Sequence, residues 1–270
     1  MSIIWLLGKP YMRQDRSMFS KENNVMKKFI ALALASVMMF SLAACKKTSE
    51  SSADASSEAT VSSKGEGVMR YADYAAAAVD APVVIEAYVQ AKQSWWENKA
   101  TLYLADTEGA YFVYNVTCSE ADYAKLVEGQ RIKVTGYKTE WSGEVEVAEG
   151  ATFEIEEGNW ISTPVDLTAK FGTDELINYQ NQRFTVTGAE VTGAATYKWD
   201  GSGEQGDDLY FKVKIGGNEY TFTVESYLCG KDTEVYKAVE ALQVGQTIDM
   251  EGFPYWYEGV NPHITKVTVK

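Results

Sequence analysis

Histidine occurs once in this chain, cysteine three times and proline five times in 270 residues. The lone histidine, His263, follows Pro262 at the start of the last β-rich run, with no serine or cysteine nucleophile patterned around it. A structural or solvent-facing role is expected for it. CxxC, HExxH, GxSxG and P-loop patterns are all missing, so the sequence offers no catalytic residue, no metal ligand set and no cofactor site. The acidic stretch Asp200-Gly-Ser-Gly-Glu-Gln-Gly-Asp207-Asp208 misses the spacing of a calcium loop and reads as a polar hairpin connection. Carboxylates are too numerous to single out an acid/base pair, so a hydrolase working through two of them stays open as a lesser alternative.

Positive charge is the next shortage. Lys and Arg number 25 against 38 Asp and Glu, a net charge of −13. Residues 1–44 hold six of the bases and two of the acids, which leaves 19 against 36 and a net charge of −17 in the remainder. Phosphate backbones are bound largely through Lys and Arg, so this balance argues against a nucleic-acid partner. Solubility explains the charge as well. Hydrophobic content of 46% and aromatic content of 13% still mark a chain able to bury cores.

Long apolar runs are confined to one place. From Met26 the chain reads MKKFIALALASVMMFSLAAC, with Lys27 and Lys28 ahead of an unbroken apolar stretch from Phe29 to Leu42. Those residues span about 21 Å as a helix, short of the ~30 Å hydrocarbon core, which suits a cleaved export signal. Leu42-Ala43-Ala44-Cys45 resembles the lipobox of bacterial lipoproteins. The resemblance implies cleavage before Cys45, lipidation of that cysteine and attachment to the outer face of the cell membrane. Residues 1–25 precede this signal without periodicity of their own, so Met26 is read as the true start. Residues 45–67, rich in Ser, Ala and Glu, read as a disordered tether with a reach of ~25 Å. Cys118 and Cys229 then remain, at matching places in two repeats, and are read as buried small hydrophobes rather than as a disulfide.

The repeat organises everything after the tether. Leu126-Val-Glu-Gly129-Gln130-Arg-Ile132-Lys-Val134-Thr-Gly136-Tyr137 and Leu242-Gln-Val-Gly245-Gln246-Thr-Ile248-Asp-Met250-Glu-Gly252-Phe253 both fit L-x-x-G-Q-x-I-x-[V/M]-x-G-[Y/F], matching at seven positions in twelve, which indicates a duplication. Around the first copy, strand-like runs cover Val83–Ala91, Thr101–Ala105, Tyr111–Val116, Arg131–Thr135, Val145–Val147 and Phe153–Ile155. Ser119-Glu-Ala-Asp122 resembles a helix cap, after which Tyr123, Leu126 and Val127 share a helical face that Gly129 ends. Around the second copy, strands are expected at Phe184–Gly188, Leu209–Ile215, Tyr220–Val224, Thr247–Gly252 and Ile264–Val269. Gly216-Gly217-Asn218 is the tight turn between two of them. A helix ending at Gly245 carries Val235, Val239 and Leu242.

Three strands, a helix and two strands resemble the OB-fold, a five-stranded Greek-key barrel. The resemblance covers about residues 80–157 and 180–270, and implies an all-β fold with small helices and two tandem OB-like domains, 68–160 and 161–270. Between them Val165–Leu167 and Thr173–Tyr179 read as a short strand and a helical turn that pack the domains together. OB domains take ligands on the face of their second and third strands, flanked by the first and fourth connections. Carried onto this chain, those connections hold Trp95 and Trp96, then Trp141, in the first repeat. In the second they hold Tyr197 and Trp199, then Tyr255, Trp256 and Tyr257. These rings read either as plugs closing the barrel ends or as a ligand platform. The expected function is a membrane-anchored binding or adaptor module, not an enzyme, that engages a protein or an envelope glycan. A single-stranded nucleic-acid-binding OB protein is the alternative.

Overall fold

The computed structural model describes residues 64–270. The export signal, Cys45 and residues 45–63 of the expected tether lie outside the described residues.

Two barrels of one topology follow each other. In the first, β1 (Pro82–Lys92), β2 (Lys99–Ala105) and β3 (Ala110–Thr117) are joined by hairpins, then α2 (Glu120–Tyr123) leads to β4 (Gln130–Trp141) and β5 (Glu144–Val147). The strand order β1-β2-β3-β5-β4 closes through β1–β4 pairing, with β3 and β5 parallel. In the second, β8 (Phe184–Tyr197), β9 (Leu209–Ile215), β10 (Asn218–Val224), α3 (Glu234–Glu240), β11 (Thr247–Phe253) and β12 (His263–Val269) take the same places. The order there is β8-β9-β10-β12-β11, closed by β11–β8, again with one parallel pair, β10–β12. Both repeats are closed OB-like barrels. One extra strand lies alongside each: β6 (Thr152–Asn159) on β4, and β7 (Val165–Asp166) on β8.

The duplicated signature explains itself in these positions. Gly129 and Gly245 both adopt a left-handed backbone, with φ of 87° and 91°, which costs a side chain-bearing residue dearly. Each donates its N–H to the matching carbonyl, Gly129 to Val89 at 2.7 Å and Gly245 to Val191 at 2.8 Å. The following Ile132 and Val134, like Ile248 and Met250, point into the cores. Gly136 and Gly252 then mark close approach: a Cβ on Gly252 would lie 2.1 Å from the His263 carbonyl oxygen.

Alternation sets the rest. Along β9, Leu209, Phe211, Val213 and Ile215 are buried while Lys212 and Lys214 are exposed, the period-two pattern of a strand with one wet face. Gly216 and Gly217 both have positive φ and close the β9–β10 hairpin at Ile215↔Asn218, as a mirror-image two-residue turn requires. Ser119 caps α2 by accepting the Asp122 N–H at 3.1 Å, and Thr233 caps α3 in the same way.

Three details differ from expectation. The helix before β4 is a single turn, so Leu126 is buried but Val127 is exposed. β8 continues past Gly188 to Tyr197, through Val-Thr-Gly-Ala-Ala-Thr, which has too few large apolar residues to signal a strand. It also carries two register shifts. Lys64 and Gly65, read as the end of the tether, are held on barrel one: Lys64 Nζ lies 2.8 Å from Asp106 Oδ2, and Gly65 N donates to Glu86. The adjoining helix α1 (Tyr71–Ala76) is fixed by Lys138, whose buried ammonium donates to the carbonyls of Tyr74, Ala75 and Ala77 at 2.7–3.1 Å.

The segment between the barrels is built in. Val165 N donates to the Arg183 carbonyl at 2.9 Å, and a 3-10 helix over Asp174–Tyr179 follows. Gln180 then reaches back to barrel one, donating to the Gly143 carbonyl at 2.8 Å and accepting from Val145 N at 3.2 Å.

Candidate ligand faces of the two barrels

The outward sides of the second and third strands differ sharply between the barrels. In barrel one, Tyr103 of β2 pairs with Phe112 of β3, while their neighbours Leu102, Leu104, Tyr111 and Val113 fill the core. Tyr103 and Phe112 point away from that core and are nonetheless buried, because barrel two lies on them. The Phe253 ring stacks on Tyr103 with centroids 4.3 Å apart, and Tyr255 meets Phe112 edge-on at 5.3 Å. Tyr255 is in turn stacked on His263 at 4.6 Å, and Tyr103 Oη lies 2.9 Å from His263 Nδ1. Burial lowers the His263 pKa to about 3 and raises the Tyr103 phenol well above its ordinary value, so both are neutral near pH 7.

A buried acid completes this seam. Glu144, the first residue of β5, accepts from Asn181 Nδ2 through one oxygen and from Trp256 N at 2.9 Å through the other. Glu258 N donates to the Ser142 carbonyl at 2.7 Å beside it. Ser94, in the first connection of barrel one, donates both N–H and Oγ–H to the Tyr227 carbonyl of barrel two, at 2.7 and 3.0 Å.

Barrel two keeps its equivalent side in water. Tyr210, Lys212 and Lys214 point outward from β9, with Thr221 and Glu219 beside them on β10. Tyr210 is half-buried, and Lys212 is paired with Glu219 at 2.9 Å. The loop between β8 and β9, which leads into β9, carries Trp199, which is 79% exposed. Lys198 precedes it, 3.4 Å from Asp207. The acids of this loop serve its turns: Asp200 accepts from Ser202 N, and Asp207 from Glu204 N.

The sequence-selected rings therefore fall into different surroundings. Tyr255 belongs to the buried seam, and Trp256 is half-buried against the core of barrel two. Trp95 is half-buried and donates Nε1–H to the Cys118 carbonyl at 2.9 Å. Tyr197 is half-buried, its hydroxyl donating to Glu240, and Trp141 is half-buried. Trp96, Tyr257 and Trp199 are exposed. Periodicity did not single out Tyr103, Phe112, Glu144 or Lys212, although the outward places of Tyr103 and Lys212 on their strands were legible.

Cys118 and Cys229 are free and buried, and burial pushes their thiols up to about 11 and about 12. Among the described residues, no group of three or more His, Cys, Asp or Glu is placed to hold a metal ion. Nor, among them, is any helix long and apolar enough to cross a membrane.

No protein family matches the chain, and no curated protein is similar to it. Solved structures are similar in fold. A tetrameric p202 HIN2 matches at 13% identity over 72% of this chain and 96% of that one, with a TM-score of 0.31. An Ifi202 HINa domain in complex with 20bp dsDNA matches at 12% identity over 70% and 98%, with a TM-score of 0.32. A replication protein A heterotrimer bound to ssDNA matches at 14% identity over 70% of this chain and 49% of that one, with a TM-score of 0.31. At these identities and scores the likeness assigns no ligand to this chain.

One expectation is nevertheless corrected. The acid excess argued against nucleic acid as a partner, yet the Ifi202 HINa domain, a murine DNA binding protein and p202 HIN1 are each seen with double-stranded DNA. Net charge sums a whole surface, whereas a ligand meets one side of it. In this chain Lys212 and Lys214 lie on the open side of barrel two, with Glu190 and Glu219 on the strands beside them.

Proposed function

We propose that this protein is a non-catalytic, lipid-anchored binding module that takes single-stranded nucleic acid on the open side of its second barrel. One observation carries the reading: of the two strand-pair faces where such barrels take ligands, one is sealed by rings, and the other leaves Lys212 and Lys214 of β9 exposed, with the exposed Trp199 and its neighbour Lys198 in the loop that leads into β9. An exposed indole stacks on any base, and neighbouring ammonium groups meet the backbone. Because the lysines are few, stacking dominates and salt matters little. With at most three phosphates neutralised, log K falls with log salt at a slope of about −2.

Fluorescence anisotropy with a labelled oligothymidylate tests the reading. Trp199→Ala weakens binding about tenfold, the usual worth of one base–ring stack. Lys214→Ala flattens the salt slope by about 0.7. Absence of any binding at low salt and micromolar protein contradicts the reading. So does saturable capture of a neutral glycan through the same tryptophan with no response to oligonucleotide.

The Leu42-Ala43-Ala44-Cys45 motif supports the anchor. Mass spectrometry of the mature N-terminus is expected to find a lipidated Cys45, with Cys45→Ala released from the membrane fraction. An unmodified mature chain in solution contradicts the anchor and leaves the binding side untouched.

A further inference from the structure

We infer that the nucleic-acid path does not end on barrel two but crosses to barrel one, where Trp96 supplies a second stacking ring; the inference rests on the reading just given. The two exposed tryptophans lie in the corresponding first connections of the two barrels, and those connections are tied together. Lys198, next to Trp199, donates its N–H to the Asp208 carbonyl at 2.8 Å. The Asp208 carboxylate accepts from Ser226 N and Oγ at 2.8 and 2.7 Å. Tyr227, the next residue, accepts through its carbonyl from Ser94, two residues before Trp96. Summed along this route, the short bonds, 3.8 Å chain steps and two side chains bound the separation of the rings at roughly 45 Å.

Trp96 is held out rather than tucked in. It pairs with Lys99 through both backbone bonds, at 3.1 and 2.8 Å, around a two-residue turn. Glu97 and Asn98 in that turn have φ of 46° and 61°, a conformation disfavoured for glutamate. The adjacent Trp95 takes the anchoring role by bonding the Cys118 carbonyl, while Trp96 stays 51% exposed and joins no core cluster. Beside the connecting loop, an open cleft of about 600 Å³ is lined by Gly206, Gly230, Lys231, Asp232 and Thr233. Its two glycines leave room for a backbone, and Lys231 supplies a cation next to it. An exposed indole in the matching connection of each barrel suits a flexible anionic chain with flat groups, and the cleft offers it one cation, Lys231, beside one acid, Asp232.

The footprint must then depend on ligand length. Oligothymidylates of about 4 and about 20 nucleotides bracket the reach of one barrel and of both. In anisotropy titrations of the full chain, Trp96→Ala is expected to weaken the longer probe about tenfold and to leave the shorter unchanged. Trp96→Phe is expected to restore most of the loss, and Trp199→Ala to weaken both probes. If Trp96→Ala binds the longer probe as the wild type does, the path stops on barrel two and only the inference falls. Equal weakening of both probes likewise overturns the two-part path. If the wild type binds neither probe, the reading beneath it falls as well.

Discussion

Tyr137 and Phe253 close the same twelve-residue signature, one in each barrel, and meet opposite surroundings. Tyr137 is 60% exposed, whereas Phe253 is 2% exposed and stacked on Tyr103. The same inversion holds for the strand pairs: Tyr103 and Phe112 face rings, while Lys212 and Lys214 face water. A duplicated fold does not produce two equal binding faces. One copy's outward strand pair has become half of a second, smaller core that fixes the barrels to each other. The other copy's strand pair keeps the polarity that a ligand in water requires.

The matched substitutions Phe253→Ala and Tyr137→Ala test this contrast most sharply. Loss of the buried ring is expected to lower stability by about 3–5 kcal/mol, and loss of the exposed one by less than about 0.5 kcal/mol. Urea melts followed by tryptophan fluorescence read both, and equal effects break the comparison. Glu144→Ala comes next, at about 2–3 kcal/mol, because it strands the buried Trp256 N–H and the Asn181 amide. Glu144→Gln, which keeps an acceptor, is expected to cost less.

The seam also carries a pH dependence of definite sign. His263 has a folded pKa of about 3 against an ordinary 6.5. Between those values the unfolded chain binds a proton that the folded chain refuses. The contribution of His263 is therefore fully present above pH 6.5, and it falls by up to about 1.4 kcal/mol per pH unit on acidification towards pH 3. Replacing it by Gln is expected to flatten that part of the stability–pH curve. An unchanged curve would mean that the imidazole is not sealed between Tyr103 and Tyr255. The smallest effect concerns the helix caps. Thr233→Ala is expected to cost about 1 kcal/mol and Ser119→Ala less, since α3 packs Val235, Tyr236 and Val239 inside whereas α2 buries none of its residues.

Local chemistry made most of the architecture legible. The left-handed Gly129 and Gly245, the Ser119 cap and the Gly216-Gly217 turn each impose a geometry that only a few residue types satisfy, so each announced its element. The long second half of β8 was hidden, because small residues and register shifts remove the alternation that betrays a strand. The seam was hidden for a different reason. Tyr103 and Phe112 alternate as outward residues do, and nothing local distinguishes water from a neighbouring barrel as the medium they face. Their partners Phe253, Tyr255 and His263 lie about 150 residues away in sequence, and only the closed fold brings them together. For the same reason Tyr255 and Trp199 read alike in the sequence but lie in a core and in water respectively.

Backbone amide hydrogen exchange with and without a long oligothymidylate tests the division of labour most directly. The account predicts added protection along β9 around Lys212 and Lys214 and in the Trp199 loop, while the Tyr103 and Phe112 strands, already sealed, stay unchanged. Protection gained at Tyr103 and Phe112, with none at β9, would contradict it.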